Sequence, residues 1–417
     1  MPRILPFRAV RFTPAAGALD ALIAPPYDVL SPADQDRLYA ASPHNIVRLM
    51  LGKQFADDTD QNNRYTRARR DFDVWQAGGV LRRDAAPALY LLEHMFTAPG
   101  DAVRRKRLGF IALLDLADAE QVLRHEATLS APKADRTKLL EAVPANLEPI
   151  FCVYPDAGGA IHARVMQAAA SAPDATGRLG EDEIRVWALT DPGVVQDIAG
   201  RVAQAQLMIA DGHHRFEVGR AHRDRYGAMM AYFVSMAEPA LVVHPIHRLI
   251  DGPAPAAAAT LARLCRLEPV PAPAGLPAWI AQAGLGYRFG LRDATGWHRV
   301  QVLPEAASGW LAQAGPPREL AALDVSVLHG LLLPALGVEA SRVRYTGSFQ
   351  EAVSAPVGAA WLLRGIPLDT VYQLARQGIM MPPKSTYFYP KVPSGLTINL
   401  LDASAGAVLP SSNRSGG

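Results

Sequence analysis

The stretch Gln206–Tyr226 constrains the architecture more than any other part of the 417-residue chain. A short apolar run, Gln206–Ala210, breaks at Asp211-Gly212. The pattern from His213 to Tyr226 is then helical, with Gly227 placed as its stop. A buried strand that turns through a glycine straight into a helix belongs to layered α/β or α+β proteins. The glycine permits a tight turn or a close approach of backbone to a ligand. The helix start behind it presents unpaired N–H groups and a partial positive charge, which suits an anion. His213, His214 and Arg215 add donors there, and Asp211 is able to cap the helix or hold a cation. Two histidines and an arginine exceed what a cap requires, so the run reads as a site that handles phosphate.

The remaining pattern also alternates. Strands are expected at Ile4–Phe12, Asn45–Leu51, Leu89–Phe96, Leu108–Leu116, Pro149–Tyr154, Ile184–Leu189 and Ala360–Arg364. A helix runs from Pro32 to about Ala41, capped by Ser31. Further helices are expected at Asn62–Ala77, with Tyr65, Ala68, Phe72 and Trp75 on one face, and at Ala134–Val143, Ala160–Ala172, Asp191–Ala203, Leu320–Leu333 and Leu368–Gly378. Pro99-Gly100-Asp101 with the basic run Arg104–Arg107 suggests a hairpin whose arginines form a solvated edge. Ala24–Asp28 reads as a turn or extended loop, and Tyr345–Glu351 as a turn into a helix. Pro253–Ala259 and Pro269–Pro277 read as linkers or a helix entry, Pro382–Gly395 as an irregular loop, and Ser411–Gly417 as a disordered tail.

Bulk properties narrow the function. Hydrophobic residues make up 49%, charged residues 20%, and net charge is +2. That balance argues against nucleic acid as a partner, which needs a concentrated basic surface. Cys152 and Cys265 are the only cysteines, too few for a disulfide scaffold or a zinc cluster, and read as small buried hydrophobes. Arg3, Arg8 and Arg11 interrupt the N-terminal apolar runs, and no stretch reaches the roughly 18 apolar residues of a membrane span. No membrane partner and a cytoplasmic location are therefore expected. Eleven histidines raise the question of metal-dependent hydrolysis, but no H-E-x-x-H spacing occurs, and Pro245 separates His244 from His247.

Three other places carry chemistry. His125-Glu126 offers a histidine beside a carboxylate, able in principle to deprotonate a hydroxyl, although the pair alone reads more readily as a surface charge at a loop. Lys384, Ser385 and Thr386 lie in a proline-stiffened segment, followed by Tyr387, Phe388, Tyr389, Pro390 and Lys391. The first three are able to bind phosphate, without the glycines of a Walker A loop. Tyr27 and Asp28, after Pro25-Pro26, together with Arg48, are candidates to line a substrate pocket.

The segments PFRAVRF, APPYDVLS, NIVRLML, RHEATLSAPKADRTKLL, ADGHHRFE and MPPKSTYFYPK occur in that order. Together they resemble the bacterial and archaeal family called domain of unknown function 1015, from about Pro6 to Leu401. The DGHHR run is also similar to the signature of the ParB/sulfiredoxin-like superfamily. Its free serine kinases carry a His-Glu pair followed later by Asp-Gly-His-x-Arg. The resemblance implies a ParB/sulfiredoxin-like core at 107–250, an N-terminal region at 1–106 packed on it, a C-terminal α/β region at 251–405 and a tail at 406–417. It also implies a kinase that moves a phosphoryl group from ATP or ADP to free L-serine with Mg2+. On that basis Glu126 is the base, and Asp211 assists the metal or the hydroxyl, with His213 beside it in catalysis. Gly212, His214, Arg215, Lys384, Ser385 and Thr386 then hold phosphates, and Tyr27, Asp28, Arg48 and His125 line the acceptor site. The 84 residues from 127 to 210 would have to loop out as an insertion. Competing readings are a non-catalytic nucleotide switch, a DNA-associated ParB-like protein and a sulfiredoxin-like repair enzyme, which would need a reactive cysteine. A homodimer is compatible with the sequence.

Overall fold

The computed structural model describes residues 2–128, 130–253, 258–282, 284, 286–314 and 317–401. The expected tail from 406 onward, the last residues of the C-terminal region, and part of the Pro253–Ala259 linker lie outside the described residues. The fold is mixed α/β. An eight-stranded sheet has the order Met208–Asp211, Ile150–Tyr154, Ala228–Ser235, Arg104–Asp115, Leu89–Thr97, Asp182–Leu189 and Ala175–Leu179, with Ile4–Leu5 also paired to Arg104–Asp115. Ile150–Tyr154 and Ala228–Ser235 run parallel, and the other pairs are antiparallel. A second, antiparallel sheet of six strands orders Cys265–Val270, Gly296–Val302, Arg288–Asp293, Ala359–Leu362, His247–Ile250 and Val343–Thr346.

Alternation along the strands divides the core. Leu91, Phe110, Ala112, Cys152 and Ala231 face one way, under helices Ala160–Ala168 and Pro192–Val202. Tyr90, Leu92, Ile111, Phe151, Val153 and Tyr232 face the other way, in a cluster shared with Ile250, Leu291, Trp361 and Phe388. The C-terminal sheet thus closes onto the first across a continuous apolar layer. Among the described residues, no helix is long and apolar enough to cross a membrane.

Most expected elements form, including helix Pro32–Ala41 behind its Ser31 cap and helix Arg64–Ala77 with Ala68, Phe72 and Trp75 buried. Several do not. Asn45–Leu51 is no strand: Val47–Met50 forms one helical turn, because buried Asn45 accepts from the Val47 N–H at 2.9 Å and donates to the carbonyls of Ala21 and Ile23. Ile4–Phe12 splits into Ile4–Leu5 and Val10–Phe12, which pair with different partners. The helix from His213 stops at Ala221, and a separate turn, Arg223–Tyr226, precedes Gly227. Leu320–Leu333 is broken by extended Leu323 and continues as a π-turn at Leu328–Leu332. Pro269 belongs to the edge strand Cys265–Val270, where a missing N–H costs no ladder bond. Tyr345 ends up in a strand, and Tyr387–Tyr389 pairs with Val242–His244 inside the supposed irregular loop.

The basic run is solvated at Arg104 and Lys106, which are exposed, but not at its end. Arg104–Arg107 lies in the strand Arg104–Asp115, and Arg107 is wholly buried, its guanidinium 4.9 Å from the Phe151 ring and 5.5 Å from that of Tyr232. A boundary between residues 106 and 107 would cut this strand. Strand His247–Ile250, placed before the 250/251 boundary, belongs to the second sheet. The 84 residues from 127 to 210 do not loop out: they supply strands Ile150–Tyr154, Ala175–Leu179, Asp182–Leu189 and Met208 onward to the first sheet.

Gly109 shows how closely two neighbouring strands of the first sheet approach. A Cβ there would lie 2.5 Å from the Phe233 carbonyl oxygen and 2.7 Å from the Tyr232 ring. Gly109→Ala is expected to destabilise by about 1–3 kcal/mol through overpacking. Gly200→Ala, on an exposed helical face with open space, should instead stabilise by about 0.5–1 kcal/mol. Urea denaturation of the two variants checks the contrast.

Candidate active site

Residues 123–126 run extended along the end of strand Met208–Asp211. The Leu123 N–H donates to the Leu207 carbonyl at 2.8 Å, and the Ile209 N–H donates to the Leu123 carbonyl at 2.9 Å. On the far side, the Met381 N–H donates to the His125 carbonyl at 2.8 Å. His125-Glu126 is therefore pinned between the Asp211 turn and the segment after residue 380. Three stretches far apart in sequence, 125–126, 211–215 and 381–391, meet here.

Glu126 is the first centre. Its Oε1 accepts from the N–H of Ser385 at 3.0 Å, the N–H of Thr386 at 3.2 Å and the hydroxyl of Thr386 at 3.2 Å. Its Oε2 accepts from the Lys384 N–H at 3.2 Å. Lys384 adopts φ 60°, and this left-handed turn curls three successive amides onto one carboxylate. For a residue with a Cβ that conformation costs about 1–2 kcal/mol, which the charge-assisted bonds offset. Thr386 Oγ1 also lies 2.9 Å from His125 Nε2, so the imidazole, hydroxyl and carboxylate form a chain.

Asp211 is the second centre. Gly212 takes φ 88°, ψ 28°, and a Cβ there would sit 3.0 Å from Ile150 and 3.1 Å from the Arg215 guanidinium. Asp211 Oδ2 accepts from Arg215 Nη2 at 2.9 Å, and its Oδ1 is ion-paired with the Lys391 ammonium. Arg215 Nη1 donates to the Pro149 carbonyl. Lys391 also approaches Asp28 Oδ2 at 3.9 Å. Burial alone would raise the Asp28 carboxyl, but Lys391, Arg215 and Lys384 outweigh it, and it titrates below its ordinary range. Burial pushes the Lys391 ammonium down, with Asp28 and Glu126 opposing.

Imidazoles bridge the two centres. The His213 ring meets that of His125 edge-on, centroids 4.6 Å apart, and His213 Nε2 is buried without a hydrogen-bond partner. Burial, then the neighbouring His125, hold His213 well below the usual imidazole range. His125 and His214 are lowered as well, each chiefly by burial.

The structure thus brings together His125, Glu126, Asp211, Gly212, His213, His214, Arg215, Lys384, Ser385, Thr386 and Asp28. It places some of them differently from the expectation. The amides of Lys384, Ser385 and Thr386 hold Glu126 rather than standing open for phosphate, and the Ser385 hydroxyl donates to the Pro382 carbonyl at 2.6 Å. Arg215 braces the Asp211 turn. Asp211 has both oxygens engaged by cations, and among the described residues no group of three or more His, Cys, Asp or Glu side chains is placed to hold a metal ion. Tyr27 lies beside Asp28, but its N–H donates to Glu148 and its ring stacks under Arg136 at 4.0 Å. Burial pushes its hydroxyl up to about 12. Arg48 is not brought to the cluster by its contacts: it donates to the carbonyls of Tyr39 and Ser42, closing the end of helix Pro32–Ala41. Lys391 joins the site without being among the residues expected there. Its signal was a single cation ending an otherwise aromatic and proline-rich run.

The sequence profile described as "Protein of unknown function (DUF1015)" matches residues 4–326. The chain belongs to that family. No curated protein matches the sequence. Among solved structures, this DUF1015 member is similar to a conserved hypothetical protein from Pyrococcus furiosus, at 12% identity and TM-score 0.38 over 70% of this chain and 97% of that one. It is similar to SbnI with a C-terminal truncation from Staphylococcus aureus, at 10% identity and TM-score 0.38 over 70% and 87%. A free serine kinase mutant in complex with ADP shows 13% identity and TM-score 0.37 over 73% and 96%.

A pH dependence follows from His213. The unfolded chain takes up a proton on this imidazole near pH 6.5, whereas the folded protein does so only at lower pH. The unfolded state then binds more protons, so stability falls as pH drops below about 6.5. His213→Phe should flatten the change in urea midpoint between about pH 7.5 and pH 5.5. An unaltered pH slope in that variant would assign the loss to other groups.

Proposed function

We propose that the protein is a nucleotide-dependent phosphotransferase that phosphorylates the hydroxyl of a small acceptor, free L-serine, with ATP or ADP as donor. The observation that carries this reading is the meeting of a carboxylate with spare acceptor capacity and a cationic helix entry. Glu126 Oε2 accepts a single hydrogen bond, against three at Oε1. Within the same cluster, no side chain caps the nine-residue helix at Gly212, and the orphaned Nε2 of buried His213 lies in its first turn. The order of sequence motifs, His-Glu and then Asp-Gly-His-x-Arg, supports the same assignment.

Phosphoryl transfer asks a protein mainly for positioning and charge neutralisation. The acceptor oxygen attacks the terminal phosphorus and forms the new O–P bond. The bond from phosphorus to the bridging oxygen breaks, and the leaving nucleotide keeps that electron pair. The hydroxyl proton passes to Glu126 Oε2. His214, the first-turn amides of the helix and the Lys384 ammonium receive the phosphates, while Lys391 and Arg215 fix Asp211 at the turn. Mg2+ accompanies nucleotides as part of the donor. The doubly paired Asp211 does not fit as its ligand, and no step depends on a protein-bound ion.

A nucleotide-binding switch without chemistry is the second reading. It is favoured by one observation: Arg215 and the amides of 384–386 are already occupied by protein groups. A sulfiredoxin-like role fits poorly, since burial raises both thiols, that of Cys265 to about 12.

Phosphorus NMR with L-serine, Mg2+ and either ATP or ADP tests the proposal. A phosphoserine resonance is expected from the wild type, reduced about 10²–10⁴-fold in Glu126→Ala, as for loss of a general base. Lys391→Met should also depress turnover, by removing the cation beside Asp28 and leaving Asp211 with Arg215 as its only cation. Both donors left intact by the wild type, with nucleotide still bound, would replace the kinase with the switch.

A further inference from the structure

A cleft of about 480 Å³ opens beside Ser385, between the Glu126 cluster and the C-terminal region. That volume suits a small organic ligand. Ile246, Leu323 and Ile366 give it apolar walls, and Asp324, Arg364 and Glu319 carry its charge. Two links tie it to Glu126. Ser385 lines the cleft, and its N–H donates to Glu126 Oε1 at 3.0 Å. Ile246 also lines it, and the Ile246 carbonyl accepts from wholly buried Arg248, an arginine close enough to Glu126 to feel its charge.

The charged groups are arranged for a ligand with both signs. Arg364 presents Nε and Nη2 to Asp324, at 2.6 Å and 3.0 Å, so one edge of its guanidinium is committed. Asp324 is almost wholly buried, with its side chain 3% exposed, and serves to lock the arginine in place. Arg364, 31% exposed, keeps its Nη1 edge for a carboxylate. Glu319 adds an exposed carboxylate at the rim, suited to an ammonium.

We propose that this cleft is the acceptor subsite and takes a small hydroxyl-bearing α-amino acid, with its carboxylate on Arg364, its ammonium on Glu319 and its hydroxyl toward Ser385 and Glu126. The proposal rests on the phosphotransferase reading and assigns to the C-terminal region the recognition of the acceptor. Apolar walls limit the side chain to a short one, and the paired charges reject neutral alcohols that lack the zwitterion.

Saturation-transfer NMR on the full chain, with L-serine, its methyl ester, N-acetyl-L-serine and ethanolamine as probes, tests the subsite without requiring turnover. L-serine should bind, and each analogue lacking one charge should bind at least about tenfold more weakly, the worth of one charge-assisted hydrogen bond. Arg364→Lys, which keeps the charge but loses the second edge, and Glu319→Gln, at an exposed position, should each weaken serine by about tenfold while leaving ADP affinity unchanged. Serine phosphorylated with unchanged KM in both variants overturns the cleft and leaves the kinase standing. Serine bound by the wild type and weakened in Glu319→Gln, with no transfer by any protein, supports the cleft and overturns the kinase. No serine binding to the wild type overturns the cleft.

Discussion

One carboxylate ties the molecule together. Glu126 accepts three backbone N–H groups from residues 384–386, some 258 to 260 positions further along the chain. A lost hydrogen bond to a buried charge costs about 1.5–3 kcal/mol, so the contact is energetically large for a single side chain. It is also directional: the amides fix where both oxygens point. Strand Tyr387–Tyr389 pairs with Val242–His244, and Phe388 packs among Phe151 and His125. The site is thus assembled where two sheets close over a shared apolar layer.

The second centre has a different logic. Lys391 is buried between Asp28 and Asp211, with Arg215 on the far side of Asp211. Drawing four charged side chains largely out of water is costly, and an ion pair of this kind rarely improves on an apolar replacement. Its geometry instead serves position. Arg215 clamps the Asp211 turn to the Pro149 carbonyl, and Gly212 leaves no room for a side chain against that guanidinium. The result is a helix start whose N–H groups and imidazoles are held without a capping side chain. Stability is conceded locally for a fixed arrangement of charge, a trade that suits a site more than a scaffold.

Much of this was legible in the sequence where short-range chemistry decides. Ser31-Pro32 starts its helix because capping depends on a neighbour three residues away. The Asp211-Gly212 turn was readable for the same reason. Asn45–Leu51 misled because the β-branched pattern is weaker than one buried asparagine that satisfies three backbone groups. Arg107 misled because charge predicts solvent unless aromatic faces are available, and Phe151 and Tyr232 come from strands more than 40 residues away. The same distance hid the real role of Lys384, Ser385 and Thr386. Composition marked them as anion binders, and they are, but the anion is Glu126.

That self-occupied nest changes how the site must be read. An amide cradle already filled by a protein carboxylate is not waiting for phosphate; it is a fixture that orients the carboxylate. Because Oε1 takes three of the four bonds, the asymmetry leaves Oε2 as the oxygen with capacity to spare. The arginine and lysine nearest the turn are likewise paired with Asp211, so on the phosphotransferase proposal the phosphates fall to the helix amides, His214 and the Lys384 ammonium. A phosphate held there would lie on the side of Glu126 away from the cleft lined by Ser385, if the two substrates are to meet across that carboxylate. Donor and acceptor would then come from different halves of the chain, the Asp211 turn belonging to the first sheet and Arg364 following a strand of the second. The clasp at Glu126 ties those halves together, and on the phosphotransferase proposal its loss would separate the substrates as well as remove the base.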